Sequence, residues 1–239
     1  MTAKNPVKIG VIGGMGPAAS ALFYRMTVEH TKALYDQQHL DMILLSHASM
    51  PDRTEALLGG RRAELLKLLL ADAHLLESCG ADAIAIPCNT SHVLADEIQA
   101  GIHVPLINMV TETVRECAAR FAAEPSRRVA VLATDGTVRA GIYQRALEAQ
   151  AMEPWLPPAE VQSLVTEMIY DGVKRGGKVD YEDFLTIERS LACAGCEAAL
   201  LACTELSVIN EMFKLPAFYI DAMRTLVKRV ILFAGKEYV

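Results

Sequence analysis

The sequence predicts an α/β protein built from two similar halves, each with a mainly parallel sheet. Three observations predict it. Short apolar, β-branched-rich runs alternate with longer helical patterns, the signature of strand–helix–strand units. The second half repeats the first in order: "KIGVIGGMG" (8–16) matches "RVAVLATDG" (128–136), "GADAIAIPCNT" (80–90) matches "GCEAALLACTE" (195–205), and "VPLIN" (104–108) matches "LPAFYI" (215–220). Apolar residues make up 52% of the 239 residues, enough core for one to two domains and too much for a disordered chain.

The elements follow in order. "VKIGVIG" (7–13) reads as the first strand. Residues 17–36 read as a helix, with Pro17 at an early helical position where its missing N–H costs nothing. "DMILLSHA" (41–48) is a second strand, a Leu/Ala helix spans about 60–79, "ADAIAIP" (81–87) is a third strand and "VPLIN" a fourth. "RVAVLAT" (128–134), a short stretch at 152–156, "EAALLAC" (197–203) and "PAFYI" (216–220) supply the second set, with helical patterns between them. The repeat divides the chain into an N-terminal half, 1–111, and a C-terminal half, 112–220, related by a pseudo-twofold axis with the active site in the cleft between them. The last helix, about 221–235 within 221–239, is expected to pack back on the first half.

Composition narrows the function classes. The net charge is −6, and the 23 Lys and Arg residues are spread out, which argues against a nucleic-acid footprint. It leaves room for a small anionic substrate, which needs only one or two well-placed cations. No apolar run approaches the roughly 18 residues of a membrane helix. The N-terminus goes directly into a strand, so no leader is expected and a cytoplasmic protein is. Six cysteines, at 79, 88, 117, 193, 196 and 203, are then expected as reduced thiols. Cys193-x-x-Cys196 has metal or redox spacing, but no second such pair or close His pair accompanies it, so no metal is expected.

The chemistry concentrates on two of those thiols. Parallel α/β sheets carry their working groups at the carboxyl ends of the strands. Cys88 and Cys203 both sit there, each eight residues after its glycine, each followed by small polar residues: Asn89 and Thr90, and Thr204 and Glu205. One Cys ending an apolar strand is ordinarily core. Two at equivalent positions of a repeat face each other across the cleft. A helix N-terminus favours a thiolate there. One thiolate can take a proton from a stereocentre while the opposite thiol returns one to the other face. The charge then spreads onto a carboxylate that backbone N–H and hydroxyl groups stabilise.

"GGMGP", "MPDRT", "PCNTSH", "IYDGVKRG" and "ACTEL" resemble the aspartate/glutamate racemase superfamily, most closely its aspartate racemase branch, from residue 8 to about 221. The resemblance implies a cofactor-independent racemase of aspartate, with glutamate as a second substrate, working as a homodimer. It implies Cys88 and Cys203 as the proton carriers. Asn89, Thr90 and Thr204 would bind the α-carboxylate and amino group, Arg53 and Lys174 the side-chain carboxylate, and Met15 would line the pocket. Arg53 is expected on a loop following a strand, where a guanidinium can clamp a carboxylate with two bonds. Lys174 ends a helix in a Gly-flanked basic segment, where Arg175 or Lys178 would also serve. Asp52 either orients Arg53 or a thiol, or simply forms the turn. Glu205 binds the substrate ammonium, tunes Cys203, or stabilises a helix start. His92 either assists Cys88 or is structural.

Two alternatives remain from the residues alone. One is a racemase with broad or neutral specificity, against which Arg53 and Lys174 speak because a neutral side chain needs no cation. The other is a binding module. "GMGPAA" (14–19) fits the dinucleotide turn, but the next strand ends "LLSHAS" with no acid for a ribose, and no P-loop Lys follows. A non-catalytic amino-acid-binding relative would look much the same.

Overall fold

The computed structural model describes residues 6–121 and 127–239. The beginning of the N-terminal segment that was read as leading into the first strand lies outside them. Strands β1 (Lys8–Gly13), β2 (Asp41–Ser46), β3 (Ala83–Ala85) and β4 (Leu106–Ile107) form one parallel sheet, in the order β2-β1-β3-β4. Strands β5 (Arg128–Leu132), β6 (Glu153–Trp155), β7 (Ala198–Leu201) and β8 (Tyr219–Asp221) form a second, in the order β6-β5-β7-β8. The second order repeats the first position for position, as the repeated sequence blocks require.

Both faces of each sheet are covered, which is why the strands read as near-continuous apolar runs. On β1, Ile9 and Val11 point to one face and Ile12 to the other, since successive side chains alternate. Ile9 and Val11 pack with Phe23 and Met26 of helix α1 (Pro17–His30). Ile12 packs with Leu65 and Leu69 of α3 (Arg62–Ser78), which follows a short α2 (Arg53–Leu58). Each such side chain contributes roughly 1.5–3 kcal/mol by leaving water. Helix α4 (Ala95–Gly101) completes the first half.

Helices cross between the halves. Val110, Val114 and Cys117 of α5 (Met109–Arg120) pack on the second sheet with Val129, Val131 and Tyr143. Tyr143 belongs to α7 (Ile142–Glu148), after a short α6 (Asp135–Ala140). Helices α8 (Ala159–Glu167), α9 (Tyr181–Cys193) and α10 (Thr204–Phe213) cover the rest of the second half, with Val165, Phe184 and Ile209 in its core. Then α11 (Ala222–Phe233) returns: Leu226, Val227 and Val230 pack with Ile9 and Phe23 of the first half. Residues 111–112 fall inside α5, so the junction between the halves is a packed helix rather than a linker.

Several expected bounds change for physical reasons. Helix α1 stops at His30, not 36, because the backbone beyond it is held by the chain's last residues. Thr31 bridges Tyr238, Lys32 N donates to Glu237 O at 2.9 Å, and Val239 N donates to His30 O at 2.9 Å. Strands expected through 87 and 203 leave their sheets at 85 and 201, and the residues after them turn into the cleft. Gly14 sits at φ +87°, and a Cβ there would lie 2.5 Å from the His47 N, so only glycine lets the β1 turn pass the loop after β2. Among the described residues, no helix is long and apolar enough to cross a membrane.

Candidate active site

The carboxyl ends of both sheets converge on one small cavity. It is lined by Met15, Asp52, Arg53, Thr54, Cys88, Asn89, Thr90, Thr134, Tyr170, Lys174, Cys203, Thr204 and Glu205, and its volume is about 10 Å³. That is room for about one water molecule. All the residues expected at the site line it except His92, whose ring bonds to the Cys88 backbone.

The first thiol is positioned by a tight turn. Cys88 N donates to Ile86 O at 2.7 Å, and the side chain is buried. Asn89 and the 3-10 turn that follows it, Thr90–Leu94, carry the next placed groups. Asn89 Oδ1 accepts from Tyr143 OH at 2.5 Å. Burial pushes the Tyr143 phenol well up, so it stays protonated and donates. This leaves Asn89 Nδ2 buried and without a partner among the described residues, a spare donor beside Cys88. Thr90 Oγ1 meets Thr134 Oγ1 at 3.0 Å and Thr137 Oγ1 at 2.9 Å, which ties the two halves together. Thr134 also caps α6.

His92 is a structural residue. Its Nε2 accepts from Met109 N at 3.1 Å, so that nitrogen carries no proton, and Nδ1 donates to Cys88 O at 2.9 Å. Burial lowers its pKa to about 4. The ring therefore stays neutral and cannot relay protons without losing both bonds. It pins the backbone of Cys88 to the start of α5. The unfolded chain protonates this histidine near pH 6.5 and the folded chain does not, so stability falls as pH drops from about 6.5 towards 4. The expected loss is about 2–3 kcal/mol between pH 7 and 4.5 from this group. Urea melts at both pH values should show a smaller difference in His92→Gln than in the parent; an equal difference would mean the ring is not buried neutral.

Arg53 is not on a loop but is the first residue of α2, whose N-cap is Asp52 (Glu55 N to Asp52 Oδ1, 3.0 Å). Asp52 thus forms the turn, and it also accepts from Tyr170 OH at 3.5 Å. The guanidinium is buried and donates to Pro51 O at 2.9 Å, with its Nε unpartnered among the described residues. Burial works against its charge, but the Cys88 sulfur, Asp52 and Glu205 outweigh burial and raise its pKa. Arg53 therefore stands as a fixed cation against Cys88.

The second thiol has the opposite surroundings. Cys203 is the N-cap of α10, and its Sγ donates to Glu205 Oε2 at 2.9 Å. Glu205 is 3% exposed. Its other oxygen pairs with Lys174 Nζ at 2.8 Å, and Thr204 Oγ1 donates to Oε2 at 3.3 Å. Lys174 ends a π-helical stretch, Met168–Lys174, running on from α8. Burial opposes its charge, but Glu205 outweighs this and keeps it protonated. Burial pushes the Cys203 thiol well above its usual range; Glu205 adds to this, while Lys174 works the other way. A Cβ on Gly16 would come 3.1 Å from Glu205 Oε1, so the glycine turn makes room for this carboxylate. Met15 packs under it, with Ser91 Oγ on its sulfur at 3.4 Å.

Lys174, expected to be free for a substrate, is thus engaged by Glu205. Tyr143, Thr137 and Tyr170 were missed from sequence. Thr134 had a signal: it lies in "ATDGT", the turn that the repeat aligns with the glycine turn. Cys193 ends α9 and Cys196 lies in the turn before β7, at the opposite end of that strand from Cys203.

Two repeated α/β halves, each giving one thiol to a shared cavity, define a duplicated α/β fold with paired cysteines. Comparison with known proteins gives the class its family. The model of the Asp/Glu/hydantoin racemase family matches residues 12–230, and the chain belongs to that family. It is an amino-acid racemase, an isomerase. The chain is 27% identical over 226 residues to the broad specificity amino-acid racemase RacX of Bacillus subtilis, covering 93% of this chain and 96% of that one. It superposes on the Picrophilus torridus aspartate racemase with a TM-score of 0.80 at 29% identity, over 98% of this chain and 96% of that one. An aspartate racemase homologue from Pyrococcus horikoshii shares the fold, with a TM-score of 0.76 at 24% identity over 95% and 99% of the two chains.

Proposed function

We propose that this chain interconverts L- and D-aspartate by passing the α-proton between Cys88 and Cys203. The observation that carries this reading is the pair itself: two buried thiols at equivalent repeat positions, lining one cavity, with a cation beside one and a carboxylate beside the other. Arg53 favours negative charge at Cys88, and Glu205 holds the proton of Cys203. For one enantiomer, the Cys88 sulfur takes the Cα–H, the electron pair spreads onto the substrate carboxylate, and the Cys203 S–H protonates the other face. The reverse direction exchanges the roles, and the proton count closes with the two sulfurs alone. The spare Asn89 Nδ2 and the hydroxyls of Thr90 and Thr204 suit the α-carboxylate, where negative charge grows in the transition state. Arg53 suits a side-chain carboxylate, Lys174 being already paired with Glu205, and Met15 shapes the floor.

We take a homodimer as the working form. Leu34 and Tyr35 are 87% and 60% exposed, and Leu44 lies exposed on the edge strand β2; apolar side chains of this kind fit a protein partner. All six cysteines are free thiols, which suits the reducing cytoplasm.

Incubating the protein with L-aspartate in deuterium oxide tests the central claim. The expected result is loss of optical rotation with deuterium appearing at Cα. An unchanged rotation with aspartate, glutamate and neutral amino acids alike would overturn the reading.

A further inference from the structure

We infer that Glu205 is a specificity-determining residue: by holding Lys174, it cancels the cation that would demand an acidic side chain, and it opens the site to α-amino acids with uncharged side chains. This rests on the racemase reading above and goes beyond it in substrate class.

The geometry has three parts. The inner cavity, at about 10 Å³, is too small for any amino acid, so a substrate must move part of its wall. A second cavity of about 460 Å³ lies directly outside. The two share Asp52, Arg53, Lys174 and Glu205, so these four side chains form the partition between them. The rest of the outer cavity is small or apolar, including Gly14, Gly16, Ala18, Ala48, Met50 and Val173. A side chain that leaves the inner cavity towards solvent therefore passes the Lys174–Glu205 pair and enters a largely apolar space.

The pair decides what that passage prefers. A lone buried lysine would strongly favour an anionic side chain, and a neutral one would leave the cation unpaired. Here the Glu205 carboxylate already sits on Lys174 at 2.8 Å. It takes the place that a substrate's side-chain carboxylate would otherwise occupy. An uncharged substrate leaves this pair intact. An acidic one must displace Glu205 and gains only the difference between two similar pairs. The cation that still distinguishes acidic substrates is Arg53, which is turned to Cys88.

Glu205→Gln tests this through binding and turnover. Succinate and propanoate serve as unreactive probes of the acidic and neutral side chains, with calorimetric binding as the readout. L-aspartate and L-methionine serve as substrates. The parent is expected to racemise both substrates. Glu205→Gln should bind succinate at least about tenfold tighter with propanoate unchanged, and its aspartate-to-methionine ratio of kcat/KM should rise by a similar factor. Glu205→Asp keeps the acid at the helix start but withdraws it from Lys174. It should move the same way by less, and it carries the test if the amide variant fails to fold. Unchanged succinate-to-propanoate selectivity in the folded variant overturns the inference, even where the parent racemises aspartate. Altered selectivity without turnover of any amino acid by the parent would instead overturn the racemase reading and leave the role of Glu205 standing.

Discussion

Replacing either Cys88 or Cys203 by Ala is expected to abolish racemisation, by at least about a thousandfold in kcat, while leaving half of the chemistry in place. In the proposed reaction each thiol faces one side of the stereocentre. A protein with one sulfur can still take and return the proton of the enantiomer whose Cα–H points to it, but it cannot invert the centre. Cys203→Ala should wash deuterium into one enantiomer of aspartate with retention, and Cys88→Ala into the other. The two variants should not be equal. Arg53 remains beside Cys88 when Cys203 is removed, so that variant keeps a sulfur whose negative charge is supported. The sulfur left in Cys88→Ala is held protonated by burial and Glu205, so its exchange should be the slower. The cost to the fold is small, since each change removes one sulfur from a cavity wall. Proton-exchange NMR on each enantiomer checks this. Parental racemisation in either variant, or exchange of both enantiomers by one thiol, would sink the two-base assignment.

Arg53→Ala is the second large effect, and it should have two separable parts. The guanidinium faces Cys88, so every substrate should lose rate. This common loss is expected at about tenfold to a hundredfold, the worth of a charged hydrogen bond. Aspartate should lose more than a neutral amino acid, because Arg53 is the cation that Glu205 does not hold. The kcat/KM values for aspartate and for methionine measure both parts. Unchanged values for both would remove Arg53 from the chemistry. Equal losses for the two substrates would confine it to Cys88 and to the carbonyls of Met50 and Pro51 that it holds.

Much of the site was legible because duplication made it so. Cys88 and Cys203 stood out only as a pair at matching places, and the polar residues after each came with them. Arg53, Lys174 and Glu205 were legible as charges in recognisable segments. Their partners were not. Lys174 and Glu205 are 31 residues apart and come from a π-helical end and a helix start, so no spacing rule links them. For His92 the sequence allows two roles, and its two ring nitrogens, engaged by Cys88 O and Met109 N, decide between them. Tyr143 is a buried aromatic on a helix, with nothing in its neighbourhood to suggest that its hydroxyl reaches Asn89, 54 residues away. The short helix that begins at Arg53 was hidden because one and a half turns carry too little periodicity to read.

The strand order within each sheet came from the tertiary structure, while by itself the sequence determined the fold class, the two-fold repetition and the two thiols. These depend on local pattern: apolar runs that must be buried on both faces, and turns repeated at fixed spacing. The tertiary structure decided the charge state of the cleft. Whether a lysine attracts a substrate or is already satisfied, and whether a thiol gives up its proton or holds it, depends on which groups lie within about 3–4 Å in a dry cavity. Packing within each half decides those neighbours: it set Arg53 against Cys88 in the first, and Glu205 between Cys203 and Lys174 in the second.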